Sequence, residues 1–302
     1  MLSFILAVRV VVTGGAGFIG SHIATFLKSL GYDVIAVDSL ERASGAERLK
    51  EVGIPLIVAD LRDAGLPKCD AVIHAAAYIS VDESWEKPYE YMWNNAAVTA
   101  KVGREAAEMG AYLVYLSSAS VYGNPLYTPI DEGHPTRPTS PYGLSKLAGE
   151  QALYLLSNLG LKYAVARLFN VYGPGQTGAY AGVITKFIER ARRGFPPVIF
   201  GSGEQTRDFV HVEDVARFVA LLLEKRAEGV FNVGSGRAVS IKALAYMVMR
   251  IAGLDGDPVY SDPRPGDILH SLADITRARG LGWDPQITLE EGLKRLWESW
   301  PQ

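Results

Sequence analysis

The sequence predicts an α/β fold, in which a doubly wound parallel sheet is joined to a smaller, irregular α/β domain. Short apolar runs rich in β-branched residues alternate with helical patterns through the first half of the chain. A glycine-rich turn follows the first of these runs, and beyond Asn170 the alternation breaks into loops rich in glycine and proline. We therefore assign 1–169 to the first domain, with 208–232 returning to it, and 170–207 plus 233–302 to the second.

The predicted strands of the first domain are apolar along nearly their whole length, which is typical of parallel strands covered on both faces. They are VRVVVTG (8–14), DVIAVD (33–38), PLIVAD (55–60), DAVIHAAA (70–77), AYLVYLSS (111–118) and KYAVARLFN (162–170). Helices are predicted between them, among others over SHIATFLKSLG (21–31) and NNAAVTAKVGREAAEMG (94–110). This alternation of strand and helix is the pattern of a doubly wound sheet.

Composition argues against several classes of protein. The chain has 302 residues and a net charge of −3 without a basic stripe, so nucleic-acid binding is not indicated. Cys69 is the single cysteine, which excludes an internal disulfide and fits a reducing, cytoplasmic location. The histidines show no metal-ligand spacing, and no metal is expected. Arg9 interrupts the apolar opening, which lacks the features of a signal peptide or membrane span.

The stretch VVVTGGAGFIGSH carries Gly14, Gly17 and Gly20 between a strand and a helix. Glycine in such a turn lets the backbone approach a pyrophosphate, which binds where the unpaired amides and the dipole of the helix N-terminus favour an anion. A glycine triplet by itself also suits any tight strand-to-helix turn. Its place in a βαβ unit predicts a Rossmann-type dinucleotide site.

Asp38 ends the second strand and is placed to accept from the ribose 2′-hydroxyl of NAD and to repel the 2′-phosphate of NADP. The alternative is an aspartate that only starts a turn. Arg42 keeps NADP open as a second cofactor. Asp60 ends the third strand and has two interpretations, contact with the adenine edge or turn formation. We predict NAD as the cofactor.

Tyr142 and Lys146 lie four positions apart in PYGLSKLAGEQAL (141–153), so a helix places both on one face. Free tyrosine and lysine have pKa values of about 10 and about 10.4, and neither accepts a proton at neutral pH unaided. The pair therefore requires a third group that stabilises the phenolate. Taken alone, this spacing is more typical of an amphipathic helix with an exposed lysine. Ser118 alone is more typical of a turn at a strand end.

Five motifs occur in order along the chain: TGGAGFIG, HAAA at 74–77, LSSASVYG at 116–123, YGLSK at 142–146 and RDFVHVEDVA at 207–216. With them the chain closely resembles the extended short-chain dehydrogenase/reductases, and among these it looks most like the UDP-galactose 4-epimerases. The similarity covers nearly the whole chain from Val10. The motifs are very specific for the superfamily and less specific for the substrate.

The resemblance implies that the third group is an oxidised nicotinamide. Tyr142 is then the catalytic base, Lys146 binds the nicotinamide ribose and lowers the pKa of the tyrosine, and Ser118 bridges the phenol and the substrate. Lowering a tyrosine pKa from about 10 to about 7 takes about 4 kcal/mol. One positive charge at about 4 to 6 Å supplies roughly 3 to 4 kcal/mol at an effective dielectric of about 20, and desolvation removes part of it.

The resemblance also implies further cofactor contacts. They are Phe18 and Ile19 on the glycine loop, Leu40 and Ser44 after Asp38, and Leu61, Ala75, Ala76, Asn94 and Phe169, in addition to Gly14, Gly17, Gly20 and Asp60. The family often places a lysine shortly after HAAA, where this chain has Ile79. One cofactor contact is therefore missing, and the tightness of NAD binding stays open.

The second domain is expected to hold the nucleotide diphosphate of a UDP-sugar. Arg207 and Arg264 are candidate guanidinium forks for the diphosphate, and Asp267 is a candidate acceptor for the uridine ribose. Because the family binds substrate through the same regions, the remaining predicted substrate contacts are Asn170, Val183, Val198 and Phe200, with Ser118 and Tyr142 from the first domain.

Oxidation of a sugar at carbon 4 gives a 4-keto sugar, whose further reaction separates the members of the family. Relatives that eliminate across carbons 5 and 6 carry Asp-Glu directly after the catalytic hydroxyl, and uronate decarboxylases carry a Glu nearby. This chain has Ala119 and Ser120 in those places. The remaining route returns the hydride to the other face of the sugar and inverts carbon 4. We therefore predict an NAD-dependent UDP-glucose 4-epimerase, an isomerase of galactose metabolism.

Several alternatives stay open. The substrate can instead be UDP-glucuronate or UDP-N-acetylglucosamine, since Ser271 stands where some relatives have a bulky tyrosine that limits pocket depth. The chain can also be a net nucleotide-sugar oxidoreductase with an exchangeable cofactor, or a non-catalytic NAD(H) sensor. The family further implies a homodimer formed through two helices per subunit, one of which carries Tyr142.

Overall fold

A computed structural model describes residues 8–176, 182–263 and 268–300. Its strands are β1 Arg9–Thr13, β2 Asp33–Asp38, β3 Leu56–Val58, β4 Ala71–His74, β5 Tyr112–Ser118, β6 Tyr163–Leu168, β7 Asn170–Tyr172, β8 Val198–Phe200, β9 Thr206–His211, β10 Gly229–Val233, β11 Ala238–Ser240 and β12 Val259–Ser261. Its helices are α1 Phe18–Ser29, α2 Ala46–Glu51, α3 Val81–Glu86, α4 Pro88–Tyr91, α5 Val98–Met109, α6 Pro141–Leu156, α7 Val183–Arg192, α8 Val212–Lys225, α9 Ile241–Ala252, α10 Thr276–Gly280 and α11 Leu289–Glu298. A π-helical turn, Met92–Ala97, joins α4 to α5.

The chain divides into two compact units. Unit 1 consists of Met1–Val121, Pro138–Arg167 and Ala216–Phe231, and unit 2 of Tyr122–Arg137, Leu168–Val215 and Asn232–Gln302. Segment 122–137 is expected in the first domain from the sequence pattern, whereas the structure places it in unit 2. The reason is a set of long-range contacts: Ile130 forms a β-bridge with Ala273, and Asn232 Nδ2 donates to the Ile130 carbonyl over 2.8 Å. The ligand of each unit remains a prediction.

The sheet of unit 1 has the strand order β10-β6-β5-β4-β1-β2-β3. Its pairs β1–β2, β1–β4, β2–β3 and β4–β5 are parallel. The predicted Rossmann-type α/β fold is therefore confirmed. The expectation that every strand is covered on both faces is wrong for β3, where Ile57 and Val58 are 41% and 62% exposed. This strand lies at the edge of the sheet, and edge strands are often short and partly solvated.

The core of unit 1 is formed by strand residues such as Val11, Val72, Leu113 and Val165, against which Val102 of α5 packs. Helices α5 and α6 approach each other closely. A Cβ added at Gly103 of α5 would lie 2.5 Å from the side chain of Leu153 of α6. This tight contact holds α6, the helix that carries Tyr142, against the rest of the unit.

Several predicted element boundaries differ from the structure. The helix predicted over 21–31 begins at Phe18, because Gly17 serves as its N-cap. The first residues of the helix predicted over 94–110 belong to the π-helical turn, and α5 begins only at Val98. The helix stops at its C-cap Gly110, which has a φ of 65°. The strand predicted over 162–170 is divided into β6 and β7, which belong to different sheets. The divided strand reflects pairing with distant segments, which periodicity does not encode.

Unit 2 is built from two small sheets and the helices beside them. In one sheet β9 lies between β11, to which it runs antiparallel, and β7, to which it runs parallel; in the other β12 pairs parallel with β8. Its core includes Ile184 and Phe187 of α7, Leu244 and Val248 of α9, and Leu293 of α11. Across the described ranges of both units, no helix is both long and apolar enough to cross a bilayer.

Candidate active site

The glycine loop joins β1 to α1 and contains glycines that the fold itself requires, Gly14 and Gly20 among them. Gly14 has a φ of 64°, and a Cβ there would lie 2.6 Å from the Ala76 amide nitrogen. A Cβ on Gly20 would lie 2.1 Å from the Gly14 carbonyl oxygen. Gly17 is different, because its Cβ would meet only the Gly14 oxygen, at 3.2 Å. A Cβ at Gly17 is therefore sterically tolerated, in contrast to one at Gly14 or Gly20.

This loop fits the pyrophosphate of a dinucleotide. Helix α1 starts without a side-chain cap and without an acidic residue in its first turn, so its N-terminal amides and dipole remain available to an anion. Phe18 and Ile19, predicted as cofactor contacts, are the first two residues of this helix and are partly buried. The glycine loop thus has the cradle and the donors that a bound pyrophosphate would need.

Asp38 ends β2 and connects the glycine loop to the segment that follows this strand. Its Oδ2 accepts from the Ala16 amide at 3.0 Å, and its Oδ1 accepts from the Leu40 amide at 2.8 Å. Each oxygen keeps a lone pair for a further donor such as a ribose hydroxyl. Leu40 has a φ of 63°, which is costly for a branched side chain, and the Ser44 amide donates to the Ala16 carbonyl at 3.0 Å. The segment after β2 is therefore fixed against the glycine loop.

Arg42, which keeps NADP open as a prediction from the sequence, is bound by Glu83 at the start of α3. Its Nη1 and Nη2 donate to the two carboxylate oxygens at 2.8 and 3.1 Å, and its guanidinium carbon lies 3.9 Å from the centroid of the Tyr78 ring. Glu83 also accepts from Lys87 Nζ at 3.1 Å and from the Tyr91 hydroxyl at 2.9 Å. A guanidinium held in this way is not poised for a 2′-phosphate, which supports NAD over NADP.

Glu83 should make unit 1 sensitive to acid. Burial opposes its ionisation, but the hydrogen bonds from Arg42, Lys87 and Tyr91 outweigh burial and lower the pKa of Glu83 to about 2. A depressed carboxyl pKa gives stability that is present above the ordinary value, 4.5, and is lost as the pH falls towards 2. We expect Glu83→Gln to lose about 2 kcal/mol of unfolding free energy at pH 7 and to show a smaller further loss in acid than the wild type.

Urea unfolding between pH 7 and pH 3 checks this expectation, and Glu108→Gln is the matched control. Glu108 pairs with Arg104 at 2.9 Å on the surface, where the two side chains are 60% and 71% exposed. Such a pair contributes about 0.5 kcal/mol or less. Equal losses in the two variants would contradict the central role of Glu83.

Tyr142, Lys146 and Ser118 lie where β5 ends and α6 begins. Ser118 is the last residue of β5, and Ser140 caps α6, accepting from the Gly143 amide at 3.1 Å. Tyr142 and Lys146 are 9% and 3% exposed. Lys146 Nζ donates to the Leu116 carbonyl at 2.7 Å and lies 4.8 Å from the centroid of the Tyr115 ring.

The pKa of Tyr142 differs from the expectation that Lys146 lowers it. Burial raises the pKa of Tyr142, while a side-chain hydrogen bond with Ser118 lowers it. Burial lowers the pKa of Lys146 to about 7, although the charge of Glu150 raises it. Burial therefore disfavours the ammonium form of Lys146, and the charge of Glu150 favours it. The protein alone does not stabilise the phenolate, so the expected activation of Tyr142 depends on what binds beside it.

Asn95, in the π-helical turn, is a buried residue that sequence reasoning missed. Its side chain accepts from the Tyr78 amide at 2.8 Å and donates to the Tyr78 carbonyl and to Ser145 Oγ, both at 2.9 Å. Ser145 Oγ in turn donates to the Tyr142 carbonyl at 2.7 Å. A π-helical turn is rare and often marks a functional site. The sequence shows only two adjacent asparagines here and gives no sign of the helical distortion.

The other predicted cofactor contacts of unit 1 are divided between the loops after β3 and β4 and the π-helical turn. Asp60 accepts from the Arg62 amide at 2.9 Å and from Arg62 Nη2 at 2.5 Å, which supports the turn-forming interpretation. Leu61 belongs to the buried core. The Ala75 amide donates to the Thr13 carbonyl at 3.1 Å. The last two predicted cofactor contacts are Ala76 and Asn94. Ala76 lies beside Gly14, and the Asn94 side chain donates to that of Asn95.

The predicted residues of unit 2 take the following places. Asn170 Nδ2 donates to the Asp208 carbonyl at 3.0 Å, and Arg207 Nη1 donates to the carbonyls of Thr206 and Ile268 at 2.9 and 2.6 Å. The others are Phe169, buried beside β7, Val183 at the start of α7, Val198 and Phe200 at the two ends of β8, and the buried Ser271. Arg264 and Asp267 lie outside the described residues.

Comparison with known proteins identifies the family. Residues 10–234 match the model of the NAD dependent epimerase/dehydratase family. The chain belongs to this family. Its description names NAD, which confirms the predicted cofactor, and the predicted membership of the extended short-chain dehydrogenase/reductases is confirmed as well.

Three proteins similar to this chain are named as UDP-sugar epimerases. A Methanocaldococcus jannaschii protein, provisionally assigned as a UDP-glucose 4-epimerase, is 40% identical over 95% of this chain and 96% of its own. The UDP-N-acetylglucosamine 4-epimerase of Methanobrevibacter ruminantium M1, solved with UDP-N-acetylmuramic acid, is 36% identical with a TM-score of 0.92, covering 97% of this chain and 98% of the other. The Thermotoga maritima UDP-glucose 4-epimerase, solved with UDP-glucose, is 37% identical with a TM-score of 0.91, covering 96% and 98%.

Proposed function

We propose that this protein is an NAD-dependent 4-epimerase that interconverts UDP-galactose and UDP-glucose through a 4-keto sugar. When bound, NAD supplies a reversible hydride acceptor for carbon 4. The similarity to a UDP-glucose 4-epimerase solved with UDP-glucose supports this substrate class. In this proposal Tyr142 moves the proton of the 4-hydroxyl, Ser118 orders the phenol and the sugar, and Lys146 provides positive charge.

The observation that carries the proposal is the turn that follows Ser118. Ala119, Ser120 and Val121 form a short 3-10 helix, and Ser118 Oγ accepts from the Ser120 amide and contacts Ser120 Oγ, both at 3.1 Å. This turn contains no carboxyl group that could act as the acid or base of an elimination. A 4-keto sugar formed beside it therefore has return of the hydride as its available route, and return to the opposite face inverts carbon 4.

The proposal is tested by incubating the purified protein with UDP-galactose, with and without added NAD, and separating the sugar nucleotides by chromatography. We expect UDP-glucose to form while the bulk absorbance at 340 nm stays flat, because the coenzyme is regenerated in every turnover. A net oxidoreductase would accumulate free NADH, and an NAD(H) sensor would convert nothing. Either outcome would refute the epimerase assignment.

We further propose that N-acetylated substrates are accepted, because Ser271 is small at the position where some relatives carry a tyrosine. We expect turnover of UDP-N-acetylglucosamine in the wild type. Ser271→Tyr should lower that rate at least about a hundredfold while changing the UDP-galactose rate less than about tenfold, since a misfitting pocket costs about 3 kcal/mol. Rates for both substrates, measured in both proteins, check this. A wild-type rate for UDP-N-acetylglucosamine below about a thousandth of the UDP-galactose rate, a difference of about 4 kcal/mol, would exclude it.

We also propose that the protein is a homodimer, with α6 in the interface. Large apolar side chains are exposed on α6 and on the helical turns beside it: Tyr154 and Leu155 are each 64% exposed, Tyr89 is 72% exposed and Trp93 is 50% exposed. Exposed large apolar side chains grouped on neighbouring helical segments are typical of surfaces that contact another protein. Light scattering should give twice the chain mass for the wild type and the chain mass for Leu155→Glu. Lys186→Glu, on α7, is the control, and a monomeric wild type would refute the proposal.

A cytoplasmic location is proposed as well, on the evidence of Cys69. This cysteine is free and buried, and burial raises its pKa to about 11. A buried, protonated thiol has no disulfide partner and suits a reducing compartment. Fractionation of the source cells, followed by immunodetection, tests the location, and recovery outside the cytoplasmic fraction would contradict it.

A further inference from the structure

Helix α6 carries a third ionisable side chain on the face that holds Tyr142 and Lys146. Glu150 follows Lys146 by one helical turn and is 5% exposed. Since residues four apart share a helix face, the three side chains form one buried row along α6. The row lies along β5, because Lys146 donates to the Leu116 carbonyl and Glu150 accepts from Ser117 Oγ.

Glu150 forms an ion pair with a buried partner. Arg167 of β6 is 6% exposed, and its Nη2 lies 2.6 Å from Glu150 Oε2, with its Nε at 3.0 and 3.2 Å from the two carboxylate oxygens. A buried ion pair often adds little net stability, because both ions lose their hydration. Stability alone is therefore a weak explanation for a carboxylate at this position.

The groups around Glu150 and Lys146 leave one source of negative charge. The titratable and charged side chains that face them are His74 of β4, Tyr115 of β5, Tyr142 of α6, and Tyr163 and Arg167 of β6. Burial lowers the pKa of His74 to about 3, and burial raises the pKa of Tyr115, so both are neutral near pH 7. Within the described part of unit 1, Glu150 is thus the anion of this group.

We propose that Glu150 is a positioning residue that keeps Lys146 in its ammonium form, and that Ser117 and Arg167 fix the carboxylate for this purpose. The catalytic consequence rests on the proposed function, whereas the charge state of Lys146 does not. Burial brings the pKa of Lys146 to about 7 even though the charge of Glu150 raises it. Without that charge the neutral amine would predominate at neutral pH, and the site would lose its positive group.

The inference is tested by measuring the protonation of Lys146 directly. Protein labelled with ¹³C at lysine Cε is titrated by NMR, and the Lys146 signal is assigned by its loss in Lys146→Met. We expect a wild-type midpoint near 7, and a midpoint about one pH unit lower in Glu150→Gln, since a nearby charge shifts a pKa by about one unit or more. Glu150→Asp perturbs the packing but keeps the charge, and should titrate like the wild type.

A second variant covers the case in which Glu150→Gln leaves Arg167 unpaired and fails to fold. The double variant Glu150→Gln with Arg167→Gln removes both buried charges, a change that proteins often tolerate, and its Lys146 midpoint should also fall. An unchanged midpoint in a folded variant without the carboxylate would overturn the inference.

Activity supplies a separate readout. For UDP-galactose turnover at pH 7, Glu150→Gln should be about fivefold slower than Glu150→Asp, because the smaller fraction of ammonium form limits the rate. The gap should narrow at lower pH as Lys146 becomes protonated. A purely structural role would lower the rate equally at every pH. If no variant turns over UDP-galactose but the NMR midpoints shift as expected, the proposed function fails and the inference about Lys146 stands.

Discussion

Replacing Tyr142 by phenylalanine should lower the rate of UDP-galactose epimerisation at least about a thousandfold, because a positioned acid–base group typically accelerates a reaction by about 10² to 10⁴. Phenylalanine keeps the ring that packs edge-on against Tyr91, with ring centroids 6.4 Å apart. Only the hydroxyl is lost, so NAD binding and folding should persist. The rate is measured by chromatography of the sugar nucleotides, and NAD binding by calorimetry.

Tyr32→Phe is the matched control for this substitution. Tyr32 lies in the turn before β2, and like Tyr142 it has a phenol whose pKa burial raises. Loss of its hydroxyl should leave the rate within about twofold, a change of about 0.4 kcal/mol in activation free energy. A Tyr142→Phe variant as active as this control would remove Tyr142 from the mechanism.

Gly20→Ala should unfold or severely destabilise unit 1, whereas Gly17→Ala should weaken NAD binding in a folded protein. A Cβ at Gly20 would lie 2.1 Å from the carbonyl oxygen of Gly14, and backbone atoms cannot yield as a flexible side chain does. We expect a loss of about 3 kcal/mol or more in unfolding free energy. Urea unfolding of the two variants measures this loss.

Gly17→Ala is the informative partner of that change. Its Cβ would require the Gly14 oxygen, 3.2 Å away, to move by only a small amount, and the N-cap conformation of Gly17, with φ −76° and ψ 174°, is open to any residue. The stability loss should be about 1 kcal/mol. The methyl group would stand where the pyrophosphate approaches, so the Kd for NAD should rise at least about tenfold, which is about 1.4 kcal/mol. Unchanged NAD affinity would place the pyrophosphate elsewhere.

The sequence by itself determined the sheet of unit 1, the glycine turn and the shared face of Tyr142 and Lys146. These features arise from local patterns: apolar runs form buried strands, glycine permits a tight turn, and a spacing of four places two side chains on one helix face. Family membership was equally readable, because five motifs occur in order along the chain.

Only the tertiary structure decided which partners the ionisable groups have. Arg42 is bound by Glu83, 41 residues away, and Glu150 by Arg167 and Ser117, and no local pattern connects these residues. The same holds for segment 122–137, which joins unit 2. The physical reason is that burial and pairing set pKa values and orient side chains, and both depend on groups that folding brings together from distant parts of the chain.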